Sequence, residues 1–312
     1  MKELQIKSSD GNLLHIYLWD KVENLKGVLQ IVHGSCEHLA RYDEFANYLN
    51  DHGWIVIGND HRGHGKTAAL QNQPLGFFGE DRGWAKLVED TFVVNKYISE
   101  TYANLPIAML GHSMGSFIAR TYIILHSKTI KAVILSGTAW YSNIQIKMAR
   151  RMAKKHQKKF GATHIDDFIY NLSYKPLNKK YKKSTTGADW LSVDQDNVAK
   201  FVADPLCGFT FTSSGFKDLF SGLIYNQTMS KIENMDKNLP IMLVAGKEDP
   251  VGSYGKTVTK TYKKFNNQGL NVDMKLYPGV RHEILFDITK DKVMEDAMAF
   301  INQAIEKPKS NT

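Results

Sequence analysis

Only two cysteines, Cys36 and Cys207, occur in a chain of 312 residues, so no disulfide framework can hold the fold and no CxxC pair offers a zinc site. No window approaches the eighteen or so apolar residues that a membrane span requires, and the amino terminus opens Met-Lys-Glu-Leu-Gln-Ile without an apolar signal segment. These absences predict a soluble cytoplasmic protein with reduced thiols. Internal repeats and low-complexity stretches are missing too. The formal charge of +8 points toward nucleic acid, yet no zinc-finger, RNP-type or helix-turn-helix pattern accompanies it, so nucleic acid is not an expected partner. What is present is a chain 43% hydrophobic and 23% charged, too apolar for disorder and long enough for one large core plus a smaller appendage.

Short apolar runs alternate with longer amphipathic ones. Residues 28–32, 54–58, 107–110, 132–135, 241–245 and 272–277 read as central strands of a parallel sheet, most of them flanked by Gly, Pro or Asn/Asp. Helical periodicity occupies 42–51, 84–102, 116–126, 254–266 and 290–304. This is the rhythm of a doubly wound α/β fold. An Asp10-Gly11 turn between 4–6 and 13–19 predicts an antiparallel hairpin at the start.

The rhythm breaks between residues 140 and 229, where phenylalanines and tyrosines are interleaved with lysines. The expected organisation is therefore a core built from 1–139 and 230–312, with a mostly helical insertion, 140–229, set on the sheet. Within 147–183, twelve lysines and arginines stand against two acids, Asp166 and Asp167, a local net charge of +10 that exceeds that of the whole chain.

The chemistry centres on Gly111-His112-Ser113-Met114-Gly115. This Gly-x-Ser-x-Gly pentapeptide lies between a predicted strand and a predicted helix, the setting in which such a serine is presented as a nucleophile. On a sharp strand-to-helix turn the serine adopts strained backbone angles, and side chains at Gly111 and Gly115 would collide with each other and with neighbouring strands. The Ser113 hydroxyl then projects above the sheet at a helix N-terminus, which favours developing negative charge. A serine needs a base, and on this architecture the order along the chain is serine, acid, histidine. Of eleven histidines only His282 follows the last acid-bearing loop, in the turn Tyr277-Pro278-Gly279-Val280-Arg281-His282-Glu283. The acid should follow strand 241–245, where Asp249, fixed before Pro250, is a better candidate than Glu248. Backbone donors for an oxyanion are expected from Met114, next to the nucleophile, and from Ser35 in the loop His33-Gly34-Ser35-Cys36-Glu37-His38.

His33-Gly34-Ser35-Cys36-Glu37-His38 with Arg41-Tyr42, then Asp60-His61-Arg62-Gly63-His64-Gly65, Gly111-His112-Ser113-Met114-Gly115, Gly246-Lys247-Glu248-Asp249-Pro250 and His282-Glu283 resemble the monoacylglycerol lipase and lysophospholipase branch of the α/β-hydrolases. The resemblance covers nearly the whole chain and is weakest in the insertion. It implies that the insertion is a cap roofing an acyl-binding pocket, and that Ser113, Asp249 and His282 act without metal or organic cofactor. Cys36 departs from the pattern, standing where such proteins commonly carry glycine and placing a thiol beside the site. If exposed, that thiol should make the enzyme sensitive to bulky thiol reagents. His61 and His64 read as parts of a structural turn around Gly63 and Gly65 rather than as metal ligands.

The expected activity is hydrolysis of carboxylic esters of single-chain lipids, monoacylglycerols or lysophospholipids, through an acyl-enzyme. A short-chain carboxylesterase shares every motif, and a catalytically silent scaffold that binds a lipid or protein is the alternative outside the enzymes. In the basic stretch, Arg150, Arg151, Lys154, Lys155, Lys158 and Lys159 are expected on one side of a helix whose other side carries Met148, Met152 and Phe160. That surface would contact an anionic membrane peripherally.

Overall fold

The computed structural model describes residues 1–181 and 186–306; Lys182 and Lys183 of the basic stretch lie outside the described residues. Eight strands form one sheet in the order β1-β2-β4-β3-β5-β6-β7-β8. They are β1 (Lys2–Lys7), β2 (Leu13–Trp19), β3 (Gly27–Val32), β4 (Trp54–Asn59), β5 (Ile107–His112), β6 (Ala132–Ser136), β7 (Ile241–Gly246) and β8 (Val272–Tyr277). The first two pair antiparallel across the Asp10-Gly11 turn, with Gly11 at φ +86°, and β2 runs antiparallel to β4. From β3 onward every pairing is parallel.

The strand sequences explain this arrangement. Every residue of β3, β4, β5, β6 and β7 is buried, as an unbroken apolar run requires when helices cover both faces. Within β5, Ala108 and Leu110 face one apolar cluster while Ile107 and Met109 face the other, which is the period-2 alternation of a strand. The run 272–277 was expected to be central, but β8 is an edge strand: it has one neighbour, and Asp273 is exposed while Val272 and Tyr277 are buried. Edge strands tolerate such charges because one side faces water.

The predicted core helices form as α1 (Asp43–Asn50), α3 (Gly83–Thr101), α4 (Met114–His126), α10 (Lys256–Asn266) and α11 (Lys290–Glu306), joined by the unanticipated short α2 (Gly65–Leu70). Phe45 and Leu49 of α1 and Val293, Met294 and Ile301 of α11 pack on one face of the sheet; Leu87 of α3, Phe117 and Ile118 of α4 and Val258 of α10 pack on the other. Among the described residues no helix is long and apolar enough to cross a membrane.

The stretch that broke the rhythm holds α5 (Asn143–Phe160), α6 (Asp167–Ser173), α7 (Gln195–Ala203) and α8 (Ser213–Asn226), followed by the single turn α9 (Met229–Ile232). Asp166 ties three of these together: it caps α6 through Ile169 N–H, and accepts from His156 Nδ1 at 2.9 Å and Ser213 Oγ at 2.7 Å. Arg120 of α4 is fully buried without an acidic partner among the described residues, and donates to the carbonyls of Ala139 and Asn226 at 2.8 and 3.1 Å. One side chain thus braces both ends of the insertion against the core. Burial draws its pKa down to about 9.

Helix α8 packs mainly on α5 and also against α3 and α4, where Gly222 lets the Trp84 indole of α3 lie on its backbone. A Cβ at Gly222 would stand 2.0 Å from the indole ring. Gly222→Ala is therefore expected to destabilise the protein by about 1–3 kcal/mol, read as a lower urea midpoint at unchanged slope; an unchanged midpoint would refute this packing account.

Candidate active site

Strand β5 ends at His112 and α4 begins at Met114, leaving Ser113 alone to turn the chain. Its angles, φ +50° and ψ −118°, are strained for a residue with a side chain and cost about 1–3 kcal/mol. Hydrogen bonds hold it there: Ser113 N–H donates to Ser136 O at 2.8 Å, and Ser113 O accepts from Ser116 N–H and Oγ at 2.9 and 2.6 Å. The glycines are sterically required. A Cβ on Gly115 would lie 1.9 Å from Val32 O, and one on Gly111 would lie 2.4 Å from Gly115 O.

Loops at the same edge of the sheet bring the other candidates to this serine. After β7, Asp249 is buried, with Oδ1 accepting from Val251 N–H at 2.8 Å and Oδ2 from His282 Nδ1 at 2.9 Å. Glu248 is exposed, and of the two acids it is Asp249 that the structure brings to His282. His282 is buried beside His112 and Trp190, with ring centroids 4.8 and 5.1 Å away. Its Nε2 is buried and has no hydrogen-bond partner among the described residues, and His282 and Ser113 line one cavity. Burial alone would lower the His282 pKa, but the charge and hydrogen bond of Asp249, then Glu283 and Glu37, outweigh it and raise the pKa above its ordinary 6.5.

The cavity, about 240 Å³, lies between the β-strand ends and the insertion. Gly34, Ser35 and Cys36 form one wall; Tyr170, Tyr174, Leu191, Phe201, Val202 and Phe209 supply apolar and aromatic surface. Met114 N–H opens α4, where the first-turn donors have no intrahelical acceptor, and Ser35 N–H donates to no group among the described residues. Tyr174 OH reaches Ser35 Oγ at 3.1 Å, linking the insertion to this loop.

Cys36 sits at φ +57°, a left-handed conformation that favours glycine, which accounts for the glycine expected there. Its thiol lines the cavity but is only 6% exposed, and burial, reinforced by Cys207, raises its pKa well above the ordinary range. The condition set for thiol-reagent sensitivity is therefore not met at Cys36. Cys207, half-buried in the same wall, is the more accessible sulfur.

His61 and His64 belong to a turn with Gly63 at φ +68° and Gly65 at φ +45°. His61 N–H donates to His33 Nε2 at 3.0 Å, and His64 Nδ1 lies 2.9 Å from Arg62 O. Burial lowers the pKa of both, to about 4 and about 3, so they are neutral packing groups. Arg62 pairs with Asp90 at 2.5 Å and Asp10 at 2.8 Å, fixing the same turn to the first hairpin.

The sequence did not disclose the group that organises these loops. Arg41 lies between two buried carboxylates: Nη1 and Nη2 grip Glu283 at 2.7 and 2.8 Å, and Nη1 also reaches Glu37 Oε2 at 2.6 Å. Glu37 Oε1 accepts Gly34 N–H at 2.6 Å, holding the Ser35 loop, while Glu283 follows His282 directly and accepts from Asn197 of α7 at 2.8 Å. Phe201 and Phe286 lie 4.9 and 4.7 Å from the guanidinium. Burial pushes Glu283 up, but Arg41 more than offsets this and holds it down at about 2. The available signal was three charged residues, Glu37, Arg41 and Glu283, lying close in sequence to Ser35 and His282.

Arg41→Met leaves two buried carboxylates unpaired and is expected to destabilise the protein by about 3–5 kcal/mol in urea unfolding. Arg41→Lys should recover only part of this, since an ammonium cannot grip a carboxylate with two parallel bonds. Full recovery by lysine would show that charge alone suffices.

Residues 23–289 match the Hydrolase_4 family, described as serine aminopeptidase, S33. A carboxyl esterase from Bacillus coagulans, solved in complex with glycerol, superposes with a TM-score of 0.90 at 31% identity, covering 97% of this chain and 98% of that one. The monoacylglycerol lipase of Mycolicibacterium smegmatis is 25% identical over 300 residues, 93% of this chain and 94% of the relative. The monoglyceride lipase of Saccharomyces cerevisiae is 25% identical over 316 residues, 98% of this chain and 93% of the relative. With Gly-x-Ser-x-Gly at the end of β5 and an Asp249–His282 pair on the loops after β7 and β8, the chain belongs to the Hydrolase_4 family and, within the α/β-hydrolases, to the monoacylglycerol lipase branch.

Proposed function

We propose that the protein hydrolyses carboxylic esters of single-chain lipids, monoacylglycerols or lysophospholipids, through an acyl-enzyme on Ser113. The observation that carries this reading is one cavity shared by a strained serine, a buried histidine with its Nε2 unpartnered and Nδ1 held by a buried aspartate, and an aromatic wall. Ser113 Oγ attacks the ester carbonyl while His282 Nε2 takes its proton. The N–H groups of Ser35 and Met114 stabilise the oxyanion as it forms. His282 returns the proton to the departing alcohol, then draws one from water, whose oxygen attacks the acyl carbonyl and frees the fatty acid and the serine. Asp249 keeps the imidazole in the right tautomer, and residues 140–229 act as the cap over the acyl chain.

The family description also names aminopeptidases, which must hold a substrate ammonium. Glu283 is the only carboxylate among the described residues that line the cavity, and Arg41 and Asn197 already occupy both its oxygens. The aromatic wall favours an acyl chain instead.

Where the membrane contact is concerned, Arg150, Arg151, Lys154, Lys155, Lys158 and Lys159 of α5 are all exposed, as expected, but the apolar assignment needs correction. Met152 packs inward with Ile146 and Ala153, while Met148 and Phe160 are 62% and 48% exposed, because the helix buries only a narrow stripe against α8. Ile144, Phe168 and Leu172 are exposed as well. Arg150, Arg151, Lys154, Lys155, Lys158 and Lys159 thus share a surface with apolar side chains, a mixture suited to an anionic lipid interface.

Ser113→Ala and His282→Ala should each lower turnover of a monoacylglycerol by roughly 10³ or more with the fold intact, as triad members act as a unit. Substantial hydrolysis by folded Ser113→Ala would rule the mechanism out. His282 must be neutral to accept a proton, and its pKa is raised, so the acidic limb of the kcat/KM profile should titrate above 6.5. A limb below 6.5 would contradict the influence of Asp249, Glu283 and Glu37. In vesicle co-sedimentation, wild type should bind anionic vesicles more than neutral ones and less at high salt. A variant combining Arg151→Gln, Lys154→Gln, Lys155→Gln and Lys158→Gln should lose the preference; equal binding to both vesicle types would reduce the basic stretch to a solvated face.

A further inference from the structure

At the end of α7 the chain doubles back toward the loop that carries Ser35. Asp204 closes the helix; its Oδ1 accepts Leu206 N–H at 2.8 Å and its carbonyl accepts Cys207 N–H at 3.0 Å. Gly208 N–H then donates to Cys36 O at 2.9 Å, fixing this turn to the core. The consequence is a convergence of three different ligand types. An imidazole nitrogen of His38, a carboxylate oxygen of Asp204 and the sulfur of Cys207 all lie within 4.8 Å of one another, with His38 Nε2 and Asp204 Oδ2 already 2.8 Å apart. His38 is buried, whereas Asp204 and Cys207 are half-buried, so an ion has a way in from solvent.

We propose that His38, Asp204 and Cys207 form a binding site for a divalent cation of the zinc type, separate from the catalytic triad, which joins the cap to the chain immediately after the oxyanion loop. The mixed nitrogen, oxygen and sulfur set selects the ion. Magnesium and calcium require oxygen ligands, whereas zinc accepts all three and is commonly held by three side chains plus a water. Bond lengths of roughly 2.0–2.3 Å in a tetrahedron place ligand atoms about 3.3–3.6 Å apart, so the observed cluster needs only small side-chain adjustments.

The protons balance as follows. The one that His38 Nε2 shares with Asp204 moves to Nδ1, which is buried and unpartnered among the described residues, and the Cys207 thiol releases one proton to solvent as its sulfur replaces a water on the ion. A thiolate, a carboxylate and a dication sum to no net charge. The Cys207 thiol faces Cys36, Arg41, Glu37, Asp204 and Glu283; burial and the acids raise its pKa far above the ordinary range against the pull of Arg41, so the free thiol is protonated at neutral pH. Asp204, Asp60 and His33 surround His38.

The test uses metal-free wild-type protein titrated with cobalt(II), followed by zinc. One equivalent of cobalt should give a thiolate-to-cobalt band in the near ultraviolet and intense tetrahedral bands in the visible, both abolished by one equivalent of zinc. Peptide mapping of iodoacetamide-treated wild type should show zinc slowing alkylation of Cys207 at least tenfold, and Cys207→Ser and His38→Gln should each weaken zinc binding at least tenfold. A weak octahedral cobalt spectrum without a thiolate band, or alkylation of Cys207 indifferent to zinc, would each overturn the proposal. The cobalt and alkylation readouts need no variant, so they decide for or against the site even where a substituted protein misfolds.

Discussion

The grip of Arg41 on Glu37 and Glu283 is the constraint on which the site depends. Glu37 orients Gly34 and with it the Ser35 N–H; Glu283 follows His282 in the chain; Asn197, on the same carboxylate, comes from α7. Two loops and helix α7, far apart in sequence, are thereby referred to one guanidinium whose side chain is one-tenth exposed. Buried ion pairs contribute little net stability compared with apolar packing, because desolvation offsets most of the attraction. What this one contributes is position. It also contributes charge: two carboxylates against one guanidinium leave the surroundings of His282 negative, which favours its imidazolium form.

Around that anchor the backbone stores strain where it serves the site. Ser113 is held in an unfavourable conformation by Ser136 O and by the glycines that let β3 and α4 approach closely. Cys36 adopts a left-handed conformation in the loop opposite. Both lie at the cavity, and the packed strands β3 to β7 beneath them are rigid enough to keep them there. Arg120 performs the matching task on the far side of α4, fixing both ends of the insertion through backbone carbonyls.

The core of the fold was legible because its strands are buried on both faces and its helices amphipathic, patterns written in the local order of apolar and polar residues. Ser113, Asp249 and His282 were legible because glycine, proline and chain order confine them locally, and the structure brings all three to one edge of the sheet. The hidden parts depend on distant pairings. Nothing local in Glu37 or Glu283 says that one arginine serves both, nothing in Tyr174 says that its hydroxyl meets Ser35, and the edge position of β8 is a matter of strand order rather than of residues 272–277. The exposure of Met148 and Phe160 was misjudged for a related reason: a helix wheel gives the angle between residues but not how wide a stripe the neighbouring α8 will cover.

The central claim is that one serine reacts and that the Arg41 grip makes it reactive. The rate of phosphonylation by a fluorophosphonate, followed by peptide mass spectrometry in wild type and in folded Arg41→Lys, tests both halves at once. The account predicts a single adduct per chain, on Ser113, forming markedly more slowly in the variant. An adduct on any other residue, or an equal rate in the two proteins, would contradict it.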